Sequence, residues 1–312
     1  MNAIITLDIG GTNIRCALFH TDKETPVSIN KIATTAEGQT AIQRIIQIVE
    51  QNLPNDRKLI GIAAAAPGSV DVRQNKVILA PNIAGWEQIE LGAILEDHFK
   101  VKVLVNNDAR LAAIGEWKRG AGRGHDDILY FTISTGLGGG VITGGRVLQG
   151  TIGIASELGH IVLQDNGPQC GCGKRGHFEA FSSGTGIQNF VQQKIKEGFS
   201  TTLESKTPST KEIAQAAIAG DSLAQEAFQR AGYYLGIGVA NYLHIFNPSC
   251  VILGGGVSQS EELFLKPFRD SLAEHVLNPN YLKDLRITLA ELGDNAGLIG
   301  AFEYMKQSLS EY

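Results

Sequence analysis

Twice along this chain an apolar, β-branched segment runs into a glycine turn and returns as a second such segment. The first copy is AIITLDI, GGTN, IRCALF (3–19), and the second is ILYFTIS, TGLGGG, VITGGRVL (128–148). β-branched and apolar residues on both sides of a glycine turn predict a hairpin. Each copy sets acidic or hydroxyl residues beside the glycines: Asp8 with Gly10, Gly11 and Thr12, then Ser134 and Thr135 with Gly136 to Gly140. The recurrence reads as an internal duplication, one copy per domain. That restricts the chain to folds assembled from two related halves.

Between and after the hairpins, strand and helix patterns alternate, which indicates an α/β protein. Residues 40–53 place Ile42, Ile45, Ile46, Val49 and Leu53 on one helical stripe. LIGIAAAA (59–66), stopped by Pro67 and Gly68, reads as a buried strand. A helix at 91–99, a strand at 101–108 and a helix at 108–120 follow. The second half repeats the grammar, with helices over STKEIAQAAIAG and SLAQEAFQRAGYYLGIGVANYLHIF, a strand at 249–256 and a helix around 261–275. A strand at 285–292 and a helix from 296 to 312 end the chain. The expected division is 1–115 for the first domain and 116–295 for the second, with 296–312 packing back on the first.

Composition excludes several classes. With 43% hydrophobic residues the chain can build a core. A net charge of −5 without a long run of either sign argues against a general nucleic-acid grip. No apolar run approaches the ~18 residues that span a bilayer, and no signal peptide is visible. Four cysteines do not make a secreted disulfide framework. A cytoplasmic protein is expected.

Three glycine clusters accompany strands: Gly10 with Gly11, Gly136 to Gly140, and Gly254 to Gly256. Glycine lets backbone N–H groups approach an anion closely, so together they point to a polyphosphate. No P-loop motif is present. The one G-x-G-x-x-G, Gly171 to Gly176, follows no strand and sits among cysteines and histidines, so it is rejected as a dinucleotide fingerprint. His160, Cys170, Cys172 and His177 offer soft donors at close spacing that suit structural zinc. Cys16 and Cys250 lie in apolar strands and read as packing residues.

Asp108 stands at the carboxyl end of a strand, where open α/β sheets bind ligands, and equally where a helix would be capped. Glu157 and Glu179 flank the Cys/His loop, either held near it or on a solvated face. Asn82 reads as a turn residue. A phosphate cradle beside carboxylates and amides suits phosphoryl transfer to an alcohol.

With these residues in view, the sequence resembles the ROK family of sugar kinases and related repressors. The matching segments are DIGGTN (8–13), APGSVD (66–71), APNIAGW (80–86), NNDARLAAIGEW (106–117), STGLGGGVITGGRVLQG (134–150), SELGH (156–160), CGCGKRGHFEAFSSG (170–184) and NPSCVILGGGVS (247–258). The resemblance implies a two-domain actin/hexokinase-like (ribonuclease H-like) α/β fold with a ligand cleft between the domains. It implies ATP-dependent phosphorylation of the 6-hydroxyl of a hexose, glucose first, with Asp108 as general base. Gly68, Asn82, Asn107, Glu157, His160 and Glu179 would bind sugar. Asp8 would organise Mg²⁺. Gly10, Gly11, Thr12, Asn13, Thr135 and Gly136 would face the phosphates, with Gly254 and Gly255 nearer the adenosine. His160 would also join Cys170, Cys172 and His177 on Zn²⁺; the family usually carries Cys at the position of His177.

N-acetylmannosamine or N-acetylglucosamine kinase and fructokinase stand as alternatives, and polyphosphate as another donor. A non-enzymatic sugar-responsive regulator is the further rival. It is disfavoured by charge and by the first strand's start near Ala3, which leaves no room for a helix-turn-helix. The resemblance also suggests a homodimer or homotetramer.

Overall fold

A computed structural model describes residues 2–310. The first half runs β1 (Asn2–Ile9), β2 (Asn13–His20), β3 (Ser28–Ala33), α1 (Ala41–Glu50), β4 (Lys58–Ala66), β5 (Ser69–Asp71), β6 (Lys76–Leu79), β7 (Glu87–Ile89), α2 (Leu91–Phe99), β8 (Lys102–Asn107) and α3 (Asp108–Arg119). The second half continues with β9 (Ile128–Ile133), β10 (Leu137–Thr143), β11 (Arg146–Val147), α4 (Glu179–Ser182), α5 (Gly184–Lys196), α6 (Thr210–Ile218), α7 (Ser222–Phe246), β12 (Cys250–Gly254), α8 (Glu261–His275), α9 (Asn280–Lys283), β13 (Arg286–Leu289) and α10 (Ala296–Ser310).

The two large sheets share one topology. Their strand orders are β3-β2-β1-β4-β8 and β11-β10-β9-β12-β13. In each, the central strand pairs antiparallel with its hairpin partner and parallel with the next strand of the sheet. This is the ribonuclease H-like plan, and the duplicated hairpin is its visible trace in the sequence. A small three-stranded sheet, β5-β6-β7, is added to the first half.

Each sheet buries apolar side chains on both faces. One core holds Ile5, Leu7 and Ile62 against α1 and α2, and another holds Ile4, Phe19 and Ala63 against Phe302 and Met305 of α10. Helix α10 therefore lies on the first sheet; residues 311 and 312 of the expected helix lie outside the described residues. The second sheet packs Leu129, Phe131 and Val251 against α5, α6, α7 and α8. Helix α3 runs unbroken through residues 115 and 116 and touches both sheets.

Three local expectations change. Helix α1 ends at Glu50 and buries Ile45, Ile48 and Val49, whereas Leu53 is 42% exposed, because the chain turns toward Pro54 before another helical turn can form. The second hairpin turn is shorter than TGLGGG: Gly138 to Gly140 belong to β10. A Cβ on Gly138 or Gly140 would stand 3.1 or 2.5 Å from the Cβ of Ala109 or Ala113, so these glycines let α3 lie flat on the strand and do not face a ligand. Finally, β13 stops at Leu289 because the amides of Glu291 and Leu292 donate to the buried carboxylate of Glu116, at 3.1 and 2.8 Å, instead of to a neighbouring strand.

Candidate active site

The end of β1, the start of the second hairpin turn and the first turn of α3 open on one cleft. A cavity of about 490 Å³ there is lined by Asp8, Asp108, Thr132, Ser134, Gly254 and Gly255, among others. A neighbouring cavity of about 620 Å³ shares Ser134, Gly256 and Gln259 and extends along Thr210, Ala214, Gln215 and Ile218. The first is polar and acidic. The second adds apolar walls suited to a flat base.

Asp108 owes its place to the junction of β8 and α3. The helix cap is Asn107, not Asp108: the Asn107 Oδ1 accepts from Arg110 N at 3.1 Å, in extended backbone geometry. Asp108 is therefore the first helical residue. Its Oδ1 accepts from Ala109 N at 2.7 Å and from Asn107 Nδ2 at 3.0 Å. Burial pushes its carboxyl up to about 6; the Ala109 amide opposes this, while the charges of Asp8 and Glu157 add to it.

Asp8 sits at the end of β1, opposite Arg15 in the register, with Arg15 Nη1 3.7 Å from Asp8 Oδ2. Burial raises its carboxyl above the ordinary range, Arg15 opposing and Asp294 assisting. Arg15 also donates to the Asp294 carbonyl and to Asn295 Oδ1, so the pair spans from β1 to the start of α10. The turn Gly10 to Asn13 closes by Gly10 N donating to Asn13 O at 2.9 Å, and Thr34 braces it through Gly10 O and Thr12 O. A Cβ on Gly11 would stand 2.7 Å from Asn82 O, so this turn presses against the loop between β6 and β7.

Of the other candidate residues, Asn107 and Gly68 are joined to Asp108 by hydrogen bonds. Asn107 Nδ2 donates to Gly68 O at 3.0 Å. Glu157 is exposed and leads into a 3₁₀ turn, Leu158–His160, where His160 N donates to Glu157 O at 3.0 Å. Glu179 opens α4: its Oε2 accepts from Leu137 N at 3.0 Å beside Gly136, and its Oε1 lies 3.2 Å from Cys170 Sγ. It thus links the second hairpin turn, with Thr135 and Gly136, to the Cys/His loop. Gly254 and Gly255, expected nearer the adenosine, line the same cavity as Asp8 and Asp108.

His160, Cys170, Cys172 and His177 present ligand atoms that all lie within 4.8 Å of one another. Cys172 Sγ is 3.2 Å from His177 Nδ1, and Cys170 Sγ is 3.8 Å from His160 Nδ1. Two thiols and two imidazoles at these separations fit a tetrahedral zinc site with four protein ligands. Histidine at 177 is accommodated. Cys16 and Cys250 are buried and stand apart from this cluster. A carboxylate oxygen such as those of Asp8 is the kind of hard donor that Mg²⁺ takes.

Sequence reasoning missed several residues here. Thr132, Gln259 and Asp294 line the cleft. Arg110 and Glu116 are 2% and 0% exposed and tie α3 to two loops. One signal was available: α3 is apolar around its whole circumference from Ala109 to Trp117 except for these two charges, and charges inside a buried helix need partners.

Among the described residues no helix is long and apolar enough to cross a membrane. The ROK family model matches residues 4–308. The glucokinase of Thermotoga maritima is 34% identical over 313 residues, which cover 98% of this chain and 98% of that protein. The xylose repressor of Bacillus subtilis is 31% identical over 300 residues, covering 96% of this chain and 72% of its own length. Among solved structures, a ROK family glucokinase from Streptomyces griseus in complex with glucose and AMPPNP has a TM-score of 0.81 at 33% identity, covering 98% of this chain and 99% of that one.

Proposed function

The chain belongs to the ROK family and is a sugar kinase, and from that premise we propose that it transfers the γ-phosphoryl group of ATP to the 6-hydroxyl of glucose. The observation that carries this is the placement of Asp108: a carboxyl raised to about 6, at a helix start, in a cleft it shares with Asp8 of the first sheet and with Gly254 to Gly256 after β12 of the second.

Asp108 is the general base. Its Oδ1 is occupied by the Ala109 amide and the Asn107 side chain, which leaves Oδ2 for the hydroxyl proton. A base with a value near 6 is ionised at neutral pH yet basic enough to draw off the proton as the phosphorus–oxygen bond forms. Gly68, Asn82, Asn107, Glu157, His160 and Glu179 hold the remaining sugar hydroxyls. Gly10, Gly11, Thr12, Asn13, Thr135 and Gly136 face the phosphates, with Gly254 and Gly255 beside them. The apolar neighbouring cavity takes the adenosine.

Asp8 would hold Mg²⁺, which would supply positive charge beside the phosphate oxygens. His160, Cys170, Cys172 and His177 hold Zn²⁺ as a structural ion. Their loop carries His160 and leads into α4, so it sets where His160 and Glu179 meet the sugar. Residues 1–115 with the C-terminal helix, and 116–295, act as two domains that close on the substrates.

A coupled assay with ATP over a panel of hexoses and N-acetylhexosamines tests the reading. Glucose should give the highest kcat/KM. A preference for an N-acetylhexosamine or fructose would overturn the substrate, and no phosphorylation of any sugar would overturn the kinase.

A further inference from the structure

Arg110 lies in the first turn of α3, two residues past Asp108, and is 2% exposed. Its partners are all neutral amide oxygens. Nη1 donates to Asn106 Oδ1 at 2.8 Å and to Gly153 O at 2.6 Å, and Nη2 donates to Ala155 O at 2.5 Å. A buried cation among neutral partners is costly. Packing alone would be served better by an apolar side chain.

The bonds meet where β8, α3 and the segment 148–157 come together. Asn106 is fully buried and also accepts from Asn107 N at 2.8 Å, so it is a fixed post. The segment is irregular. Within it Ala155 N donates to Gln149 O at 3.1 Å and Ser156 Oγ to Leu148 O at 3.3 Å; its start is held by Leu148 N to Val141 O at 2.9 Å and Gln149 Nε2 to Tyr304 Oη at 3.4 Å, and none of these bonds reaches α3 or β8. Arg110 is what fastens it to α3 and β8. On the far side Gly153, at φ +87°, presses on β5's neighbour Val72; a Cβ there would stand 2.7 Å from the Val72 Cβ. The segment is thus clamped between the guanidinium and Val72, and two residues after Ala155 comes Glu157. The charges of Arg110 and Glu157 act on one another, and that of Glu157 acts on Asp108.

We infer that Arg110 is a positioning residue for the sugar: its guanidinium grips the carbonyls of Gly153 and Ala155 against Asn106 and so sets where Glu157 stands relative to Asp108. The nucleotide side of the cleft does not depend on it. The kinetic consequence rests on the proposed sugar-kinase reading; the grip on the segment does not.

Two variants of the full-length chain test this. Arg110→Lys keeps the charge and loses the fork. Gly153→Ala wedges the segment off Val72 and leaves α3 untouched. Hydrogen–deuterium exchange of amides 150–157 and steady-state kinetics for glucose and ATP are the readouts. In both variants exchange in 150–157 should quicken while the rest of α3 stays native. The glucose KM should rise about 10- to 100-fold, the scale of a lost charged hydrogen bond, and ATP KM and kcat should move less than about threefold.

Native exchange in Arg110→Lys with a glucose KM within about twofold of native would overturn the inference. So would an ATP KM that rises in step with that for glucose, since Arg110 would then support α3 in general. If Arg110→Lys does not fold, Gly153→Ala decides through the same split. If the native protein phosphorylates no sugar, the kinase reading falls, and the exchange data alone judge the grip.

Discussion

The two hairpins that define this fold are built alike and armed differently. β1–β2 pairs Ile9 with Ile14 at its mouth and carries Asp8 opposite Arg15 one step inside. β9–β10 pairs Ile133 with Leu137, and one step inside has Thr132 opposite Gly138. The first turn is braced by Thr34 at the end of β3. The second is braced from farther away, by Gly184 N and Thr185 N of α5 donating to Ser134 O and Thr135 O at 2.7 and 3.1 Å. Its nearest acid, Glu179, comes from α4 and reaches back through the Cys/His loop. One copy of a duplicated unit kept its charge chemistry local in sequence, and the other borrows it through tertiary contacts. The first half should therefore tolerate disturbance of the Cys/His loop, and the second should not.

Asp108 lies between the two, so its loss should have the largest effect. Asp108→Asn should lower kcat by about 10²–10⁴-fold while sugar binding, followed by calorimetry, largely survives. A fall of less than about tenfold would remove Asp108 from the role of base.

Metal removal comes next and separates the hairpins. Chelation of the His160, Cys170, Cys172 and His177 site should raise the glucose KM by about tenfold or more, as an ordered loop becomes one state among several. The ATP KM should hold. An equal loss on both substrates would mean that the two halves are not independent in this way.

A matched pair of substitutions sharpens the contrast. A Cβ on Gly11 meets backbone, Asn82 O at 2.7 Å, whereas a Cβ on Gly136 meets the tip of a side chain, Glu179 Oε2 at 2.5 Å. Gly11→Ala should cost about 1–3 kcal/mol of stability, read by thermal melting. Gly136→Ala should melt near the native temperature and instead weaken glucose binding, because Glu179 can swing aside. Equal melting temperatures for the two would contradict this assignment.

The smallest effect is electrostatic. The folded Asp108 carboxyl holds its proton up to about pH 6, against 3.8 ordinarily. The folded state thus binds protons more tightly than the unfolded one between those values, and stability falls as pH rises through that window. Water reaches the carboxyl, so the cost above pH 6 is on the order of 1 kcal/mol. Asp108→Asn should melt above native protein at pH 8, with the difference gone near pH 4. In the native enzyme kcat/KM should fall below about pH 6 as the base becomes protonated.

Much of this was legible in one dimension because hairpins, caps and short-range ligands act over a few residues. The hairpin strands, the helix at 91–99 and the His160, Cys170, Cys172, His177 set all follow from local pattern. Where the pattern misled, a distant group had intervened. Gly138 to Gly140 look like a phosphate loop but are strand positions, of which Gly138 and Gly140 admit α3 and Gly139 faces Leu158. The strand expected to reach residue 292 ends early because Glu116, far off in sequence, takes its amides. Asp108 reads as a cap on paper, and the extended φ of −64° and ψ of 141° at Asn107 give that role to its neighbour.

The sequence by itself determined that two strand–turn–strand units would carry glycine-lined turns, since side-chain branching and glycine's backbone freedom are properties of each residue. Only the tertiary structure decided which charges meet in the cleft. Arg110, Glu116 and Glu179 act across 40 residues or more on carbonyls and amides that any residue would offer. A backbone group carries no mark in the sequence of the side chain that will find it.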